Sequence, residues 1–217
     1  MANNNKSEQN DYIASFLVNI IEFCKARKQA VLTALVILVV AAAVGVAYSS
    51  HQKKADQESW GLYYAAQVNL LTQGEAEGFG MLDVLNEKFP GTNAALYGQL
   101  LKGDLLFAQD NFAQAADVYK PLTNAKNPYV MTVACLSLAD AQQAMKDYAA
   151  SAETAETFIQ NNSKSFALPQ AYFTLALSQE LAGKKDAAAE TYKHILESYT
   201  KTYYGAFAKD KLNELRK

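Results

Sequence analysis

Two hydrophobic patterns divide this chain. From Ala30 to Tyr48 (AVLTALVILVVAAAVGVAY) apolar residues run for 19 positions without a charge, and Thr33 is the one hydroxyl before the closing tyrosine. As a helix the run spans about 28 Å at ~1.5 Å per residue, close to the ~30 Å hydrocarbon core of a bilayer. Ten of its residues are Leu, Ile or Val. At about −0.3 to −0.6 kcal/mol each, these favour insertion by roughly 3–6 kcal/mol. The run therefore predicts a transmembrane helix. It exceeds the ~7–15 apolar residues of a signal peptide and follows 29 residues instead of a short basic leader, so an uncleaved anchor is expected, although Gly45-Val46-Ala47 has the small side chains of a cleavage site.

Elsewhere apolar positions recur every three or four residues, the helical period. Ahead of the anchor, Tyr12, Phe16, Ile20 and Phe23 form a stripe with Ile13, Leu17, Ile21 and Cys24 one position behind, while Asn19, Glu22 and Lys25 face away. An amphipathic helix at the inner headgroup region is expected there, with docking onto a membrane partner as the alternative. From Ala55 onward the pattern predicts helix throughout, broken at Gln73–Glu75, Phe89–Asn93, Gln109–Asn111, Asn124–Pro128, Lys146–Asp147, Asn161–Ser165, Gly183–Asp186 and Ser198–Lys201. No stretch alternates like a strand. The expected fold class is all-α, organised as a tail (1–29), an anchor (30–48) and a larger domain (49–217).

The breaks are evenly spaced because the domain repeats. Three segments align: Gly103–Tyr119, Ala139–Ala155 and Ala176–Tyr192, offset by 36 and then 37 residues. Small residues recur at Gly103, Ala139 and Ala176 and again at Ala115, Ser151 and Ala188. The position opening the second helix reads Phe112, Tyr148 and then Lys185, a departure in the third copy. A small residue on each helix of a pair lets two backbones pack closely, and no pair buries its apolar stripe alone, so several must stack. Ala55–Leu71 with Glu75–Phe89 forms an earlier, divergent pair, and Thr202–Arg216 has the pattern of a closing helix. The prediction is an α-solenoid of about four helix pairs plus a capping helix.

Charge adds direction but little chemistry. Of 20 basic and 22 acidic residues, Lys6, Lys25, Arg27, Lys28, Glu8, Asp11 and Glu22 precede the anchor. The mildly acidic remainder has no basic cluster, which argues against a nucleic-acid footprint. Lys25, Arg27 and Lys28 outnumber Lys53 and Lys54 across the anchor, which favours a cytoplasmic N-terminus by one residue. The large domain then faces the periplasm of a Gram-negative cell. Cys24 and Cys135 fall on opposite sides of the anchor and cannot pair within one chain, and Cys135 sits in an apolar helical stretch as a small core filler. His51 and His194 have no ligand partners at metal-binding spacing, and no phosphate loop or nucleophile–base pair is present. No cofactor, metal or enzymatic activity is expected.

The repeat resembles the tetratricopeptide family across Ala55–Lys217, with a period two or three residues longer than that family's and a terminal proline clear only at Pro90. The whole layout resembles the ancillary SecYEG translocon subunit family, the YfgM-like proteins: an amphipathic tail, one anchor, the juxtamembrane Ser50-His51-Gln52-Lys53-Lys54-Ala55 and a small repeat domain. That resemblance implies a protein-binding module at the bacterial inner membrane, linked to translocon subunits, a periplasmic chaperone of the prolyl-isomerase type and exported polypeptides. A second resemblance, to periplasmic repeat proteins of envelope assembly, rests on Phe89-Pro90-Gly91-Thr92 and Ser198–Tyr203. It implies a scaffold for cell-wall or outer-membrane machinery. In tetratricopeptide geometry the first helix of each pair lines a concave groove. Here that face would carry Trp60, Tyr63, Tyr97, Leu100, Phe107, Val133, Leu136, Gln170 and Phe173, a set that suits peptide or helix recognition. Packing between repeats is the alternative for each side chain alone. Family members that clamp a partner's C-terminal carboxylate place Lys, Arg and Asn on this face, where this chain has apolar or acidic residues, so a hydrophobic or extended-chain partner is expected.

Overall fold

The repeat alignment has its physical basis in the turns. Asp110, Lys146 and Gly183 occupy one position of the three copies, and all three adopt left-handed backbone, with φ of 62°, 65° and 78°. In each turn the next amide closes back onto the carbonyl five residues earlier: Asn111 onto Leu106, Asp147 onto Gln142 and Lys184 onto Gln179, each at 2.9 Å. This is the Schellman ending of an α-helix. Glycine adopts it freely, whereas the aspartate and lysine bear about 1–2 kcal/mol of strain.

The computed structural model describes Val18 and residues 25–215. Among these, nine helices follow one another: α1 Lys28–Thr72, α2 Glu75–Lys88, α3 Asn93–Ala108, α4 Phe112–Leu122, α5 Pro128–Ala144, α6 Tyr148–Asn161, α7 Leu168–Leu181, α8 Lys185–Ser198 and α9 Tyr203–Leu215. The fold is all-α. Apart from Val18, the amphipathic segment expected between Tyr12 and Cys24 lies outside the described residues.

The chain divides into two units, the first ending at Lys54 and the second comprising Ala55–Lys217. In the first unit, Leu32, Leu35, Val36, Ile37, Leu38, Val39 and Val40 are all exposed. Helix α1 contains a window of mean hydropathy 2.8 and is long and apolar enough to cross a membrane. The Thr33 hydroxyl donates to the Gln29 carbonyl at 2.8 Å, so even that polar group is satisfied within the helix. The helix does not stop at Tyr48. Ser49–Lys54 end the apolar run but contain neither Gly nor Pro, and hydropathy therefore changes where helicity does not.

The second unit holds the helix pairs: the Ala55–Thr72 part of α1 with α2, then α3/α4, α5/α6 and α7/α8, with α9 closing the row. The second helices start at Phe112, Tyr148 and Lys185, the aligned positions. Their far ends also match. Phe89 and Tyr199 share nearly the same backbone, and the Thr92 and Thr202 hydroxyls donate to their carbonyls at 2.9 and 2.7 Å. The same hydroxyls then accept from Ala95 and Gly205 to cap the next helix. Helix α5 instead starts with Pro128 behind Asn127, which accepts from the Tyr129 and Val130 amides.

The core follows as a series of clusters. Leu82, Leu85 and Ala95 centre one, Leu106, Tyr119, Leu122 and Val130 the next, Phe158 and Ala171 the third, Tyr192, Ile195 and Ala208 the last. Each repeat thus buries its apolar stripe mainly against its neighbours. Ala115, Ala139, Ser151, Ala176 and Ala188, the predicted small positions, are fully buried. Gly103 is more extreme: a Cβ there would sit 2.4 Å from a Tyr119 ring carbon. Tyr192 is the counterpart of Tyr119, yet Ala176 coexists with it, because the two rings lean differently. Tyr119 bonds Asp104, the residue after Gly103, whereas Tyr192 bonds Glu180, four residues past Ala176.

One junction is polar. The Gln143 amide donates to the Thr174 carbonyl at 3.1 Å and to the Ser178 hydroxyl at 2.7 Å. Ser178 and Ser151 join at 2.9 Å, and Ser151 donates to the Ala139 carbonyl at 2.8 Å. This chain of hydrogen bonds ties α5, α6 and α7 together inside the stack.

Candidate functional site

Packing of the pairs decides which side can bind. The first helices of successive pairs touch, α3 on α5, α5 on α7 and α7 on α9, whereas the second helices α4, α6 and α8 do not touch one another. A row of pairs held closer on one side is curved, with its first helices inside. The inner face is therefore built by Ala55–Thr72 of α1 and by α3, α5, α7 and α9.

Aromatic rings occupy both ends of that face. At one end Trp60 meets Tyr63 edge-on at 5.6 Å, stacks on Tyr64 at 6.0 Å and lies 5.8 Å from Tyr97. Tyr97 continues to Tyr129 at 6.0 Å, so the rings run unbroken from α1 through α3 to α5. Trp60, Tyr63 and Tyr97 are half-buried, while Tyr64 and Tyr129 stand open to solvent. Each ring offers an apolar body with a polar tip, a composition suited to contact surfaces. At the other end Phe173 meets Tyr204 at 5.6 Å and Phe207 at 5.8 Å, and Tyr203 is 70% exposed beside Phe207.

The remaining expected groove residues are placed as follows. Phe107 is half-buried and packs at 5.0 Å on Phe112, which opens α4. Val133 and Gln170 are half-buried. Leu100 and Leu136, one repeat position in two copies, are only 5% and 6% exposed and lie in the core clusters. Their side chains fill the space between pairs, where a branched aliphatic group finds close-packed neighbours on every side. Phe173 occupies that same position in the third copy, next to α9, and stays half-buried.

Between the aromatic ends lies a small cavity of about 140 Å³ lined by Asp104, Phe107, Tyr119, Ser137 and Asp140. The Tyr119 hydroxyl donates to Asp104 Oδ1 at 2.6 Å. Burial, and then that bond, push the Tyr119 phenol far above its ordinary range. Burial alone raises the Asp140 carboxyl to about 6. Tyr63 is raised by burial and then by Tyr64, Tyr97 and Asp104, and Tyr204 by burial and then Asp140, so the two carboxylates are felt from α1 to α9. Asp104 and Asp140 follow the small residue of the first helix in two copies. That shared register is the signal by which sequence alone could have brought them together.

Other candidate chemistry stands apart from this face. His194 is exposed and lies 4.5 Å from Tyr172. Cys135 is buried and its thiol is pushed up to about 11 by burial, the state of an unreactive core cysteine. Among the described residues no group of three His, Cys, Asp or Glu is arranged to hold a metal ion.

Stacked antiparallel helix pairs with aligned turns and an open inner face define a helical repeat protein of the protein-interaction class. The family model for the tetratricopeptide repeat-like domain matches residues 22–215, and the chain belongs to that family. In fold it is similar to the crystal structure of a protein from Podosopora anserina taken to be a kinesin light chain with nearly identical TPR-like repeats. The TM-score is 0.57 at 14% identity, over 74% of this chain and 86% of that one. No curated protein matches the sequence.

Proposed function

We propose that this protein is a membrane-anchored adaptor whose inner repeat face binds other proteins at the site of protein export. The observation that carries the reading is the aromatic row Tyr63–Trp60–Tyr97–Tyr129, which runs across three first helices and is partly open to solvent. Clustered, desolvated aromatic side chains are where binding energy concentrates at protein interfaces. Trp60, Tyr63, Tyr97, Phe107 and Phe173 are the residues assigned to contact the partner, with Leu100 and Leu136 supporting them from below. The apolar part of α1 holds the chain in the bacterial inner membrane, with a cytoplasmic N-terminus and a periplasmic repeat domain as the flanking charges favour. The partners are translocon subunits, a periplasmic chaperone of the prolyl-isomerase type, or exported polypeptides, as the resemblance of the whole layout to the ancillary SecYEG family implies. Binding, not catalysis, is the activity.

A scaffold for cell-wall or outer-membrane assembly is the second reading, favoured by the matched turns at Phe89–Thr92 and Tyr199–Thr202 that carried the envelope-assembly resemblance. One experiment separates the two. A photoreactive residue placed at Trp60 or Tyr97 in cells, followed by mass spectrometry of the adducts, is expected to capture translocon subunits, an isomerase or exported chains. Adducts with envelope-assembly proteins would favour the scaffold, and adducts with the protein itself alone would remove the groove.

A further inference from the structure

We infer that the inner face takes a polypeptide carrying a basic side chain, arginine in preference to lysine, between apolar residues, with the basic group seated against Asp104 and Asp140. The inference rests on the groove reading above and specifies its occupant by charge complementarity. Across the helices of that face the acidic residues are Asp56, Glu58, Asp104, Asp140, Glu180, Asp210 and Glu214, against Lys102, Lys209 and Lys211. Lys102 pairs with Asp83 on α2, and Lys209 and Lys211 both lie on the closing helix α9. Glu180 is already engaged by Lys211 at 3.2 Å and by the Tyr192 hydroxyl at 2.8 Å. Asp104 and Asp140, by contrast, form no ion pair with any lysine or arginine among the described residues, and Asp140 accepts no hydrogen bond from them.

Asp140 is half-buried with no cation beside it, and the cost of partly desolvating an unpaired carboxylate is relieved when a cation arrives with its partner, while Asp104 stands open to solvent nearby. The cavity between the two carboxylates supplies the rest of a cation seat. Its volume of about 140 Å³ equals roughly five waters at ~30 Å³ each, room for the head of one basic side chain. Phe107 offers an aromatic ring to a planar cation, and two carboxylates suit the forked donors of a guanidinium. The aromatic rows at Trp60–Tyr97 and at Phe173–Tyr204 lie on the first helices to either side, so apolar side chains flanking the basic residue meet rings in both directions.

The test uses the full chain in nanodiscs of zwitterionic phosphatidylcholine and short fluorescent peptides with Leu and Phe around a central Arg, Gln or Glu, read by anisotropy against empty nanodiscs. The Arg peptide is expected to bind about tenfold tighter than the Gln peptide, and the Glu peptide weaker still. The Asp104→Asn/Asp140→Asn double variant should bring Arg and Gln peptides close to parity without weakening the Gln peptide. Trp60→Ala should weaken all three together. Equal binding of Arg and Gln peptides by the wild type, or an Arg preference that survives in the double variant, overturns the inference and leaves the groove standing. Binding of none of the peptides, together with no adducts from Trp60 or Tyr97, overturns the groove itself.

Discussion

Gly103→Ala tests whether the helix pairs are held at the separation set by their small residues. In an open helix interior this change stabilises by about 0.8–1 kcal/mol, because alanine loses less backbone entropy than glycine. At Gly103 the new Cβ would lie 2.4 Å from Tyr119 Cε1 and 2.9 Å from Cδ1 and Cζ. The ring cannot swing aside freely, since Tyr119 is fully buried and its hydroxyl is bonded to Asp104. Overpacking of this kind costs about 1–3 kcal/mol. A ring that turns away loses in addition a bond to a charged acceptor, about 1.5–3 kcal/mol. Less the ~1 kcal/mol gain in propensity, the net loss is roughly 0–2 kcal/mol if the ring keeps its bond and about 1.5–5 kcal/mol if it turns away, and a loss of about 1–3 kcal/mol is expected. Gly80→Ala is the matched control, because a Cβ at Gly80 meets nothing within 4 Å. Thermal unfolding followed by circular dichroism should show the midpoint falling by about 3–10 °C at Gly103 and rising by about 1–4 °C at Gly80, at ~2–4 °C per kcal/mol for a unit of this size. In a Tyr119→Leu background the Gly103 change should cost less, and the cycle isolates the contact. A Gly103→Ala protein as stable as the Gly80→Ala protein would refute the reasoning.

Four further outcomes are expected. The Asp140 carboxyl, raised by burial to about 6, contributes stability that is fully present below the pKa of an unfolded aspartate and lost as pH rises through 6. Asp140→Asn should therefore unfold at a higher temperature than wild type at pH 7.5, by an amount worth about 1–2 kcal/mol, and match it at pH 4; equal midpoints at both values would contradict this. Ser178→Val, which leaves Gln143 and Ser151 without their shared partner, should lower stability by about 1–3 kcal/mol in urea titrations. Cys135 should react with a thiol reagent in the native protein far more slowly than after denaturation, as its buried and raised thiol requires. Trp60 is the one tryptophan of the chain, so intrinsic fluorescence reports the aromatic row directly. A partner peptide that seats on this face should shift that emission, and an unchanged spectrum on saturation would place binding elsewhere.

The repeat was readable in the sequence because its marks are local. A small residue at Gly103, Ala139 and Ala176 and the turn residues seven positions later fix where helices stop, and the structure gives those turns the same backbone. The second helices open at the aligned Phe112, Tyr148 and Lys185 for the same reason. Hydropathy falls at Ser49, whereas helicity responds to Gly and Pro and persists to Thr72, so the apolar run and the helix end at different places. Position along a first helix predicts Trp60, Tyr63, Tyr97, Phe107 and Phe173 for the inner face together with Leu100 and Leu136, and pattern alone does not show that the two leucines are buried in the core clusters. Tyr129 was missed because it sits in the first turn of α5, ahead of the repeat register, and joins the row only through its contact with Tyr97. The Gln143–Ser178–Ser151 chain left no periodic trace, since each member comes from a different helix.

That chain also limits how the pairs can be rearranged. Its members lie on α5, α6 and α7, and the aligned positions in the other copies hold Phe107 and Glu180 for Gln143, and Ala115 and Ala188 for Ser151. Excising one pair, duplicating it or exchanging it with a neighbour would set an amide or hydroxyl against an apolar or charged side chain and leave it buried without a mate. Stacking by itself would tolerate such shuffling, because apolar faces of similar size are interchangeable. The polar joint works as a key between adjoining modules, so the order of the pairs in this chain is written into its interior as well as into its covalent sequence.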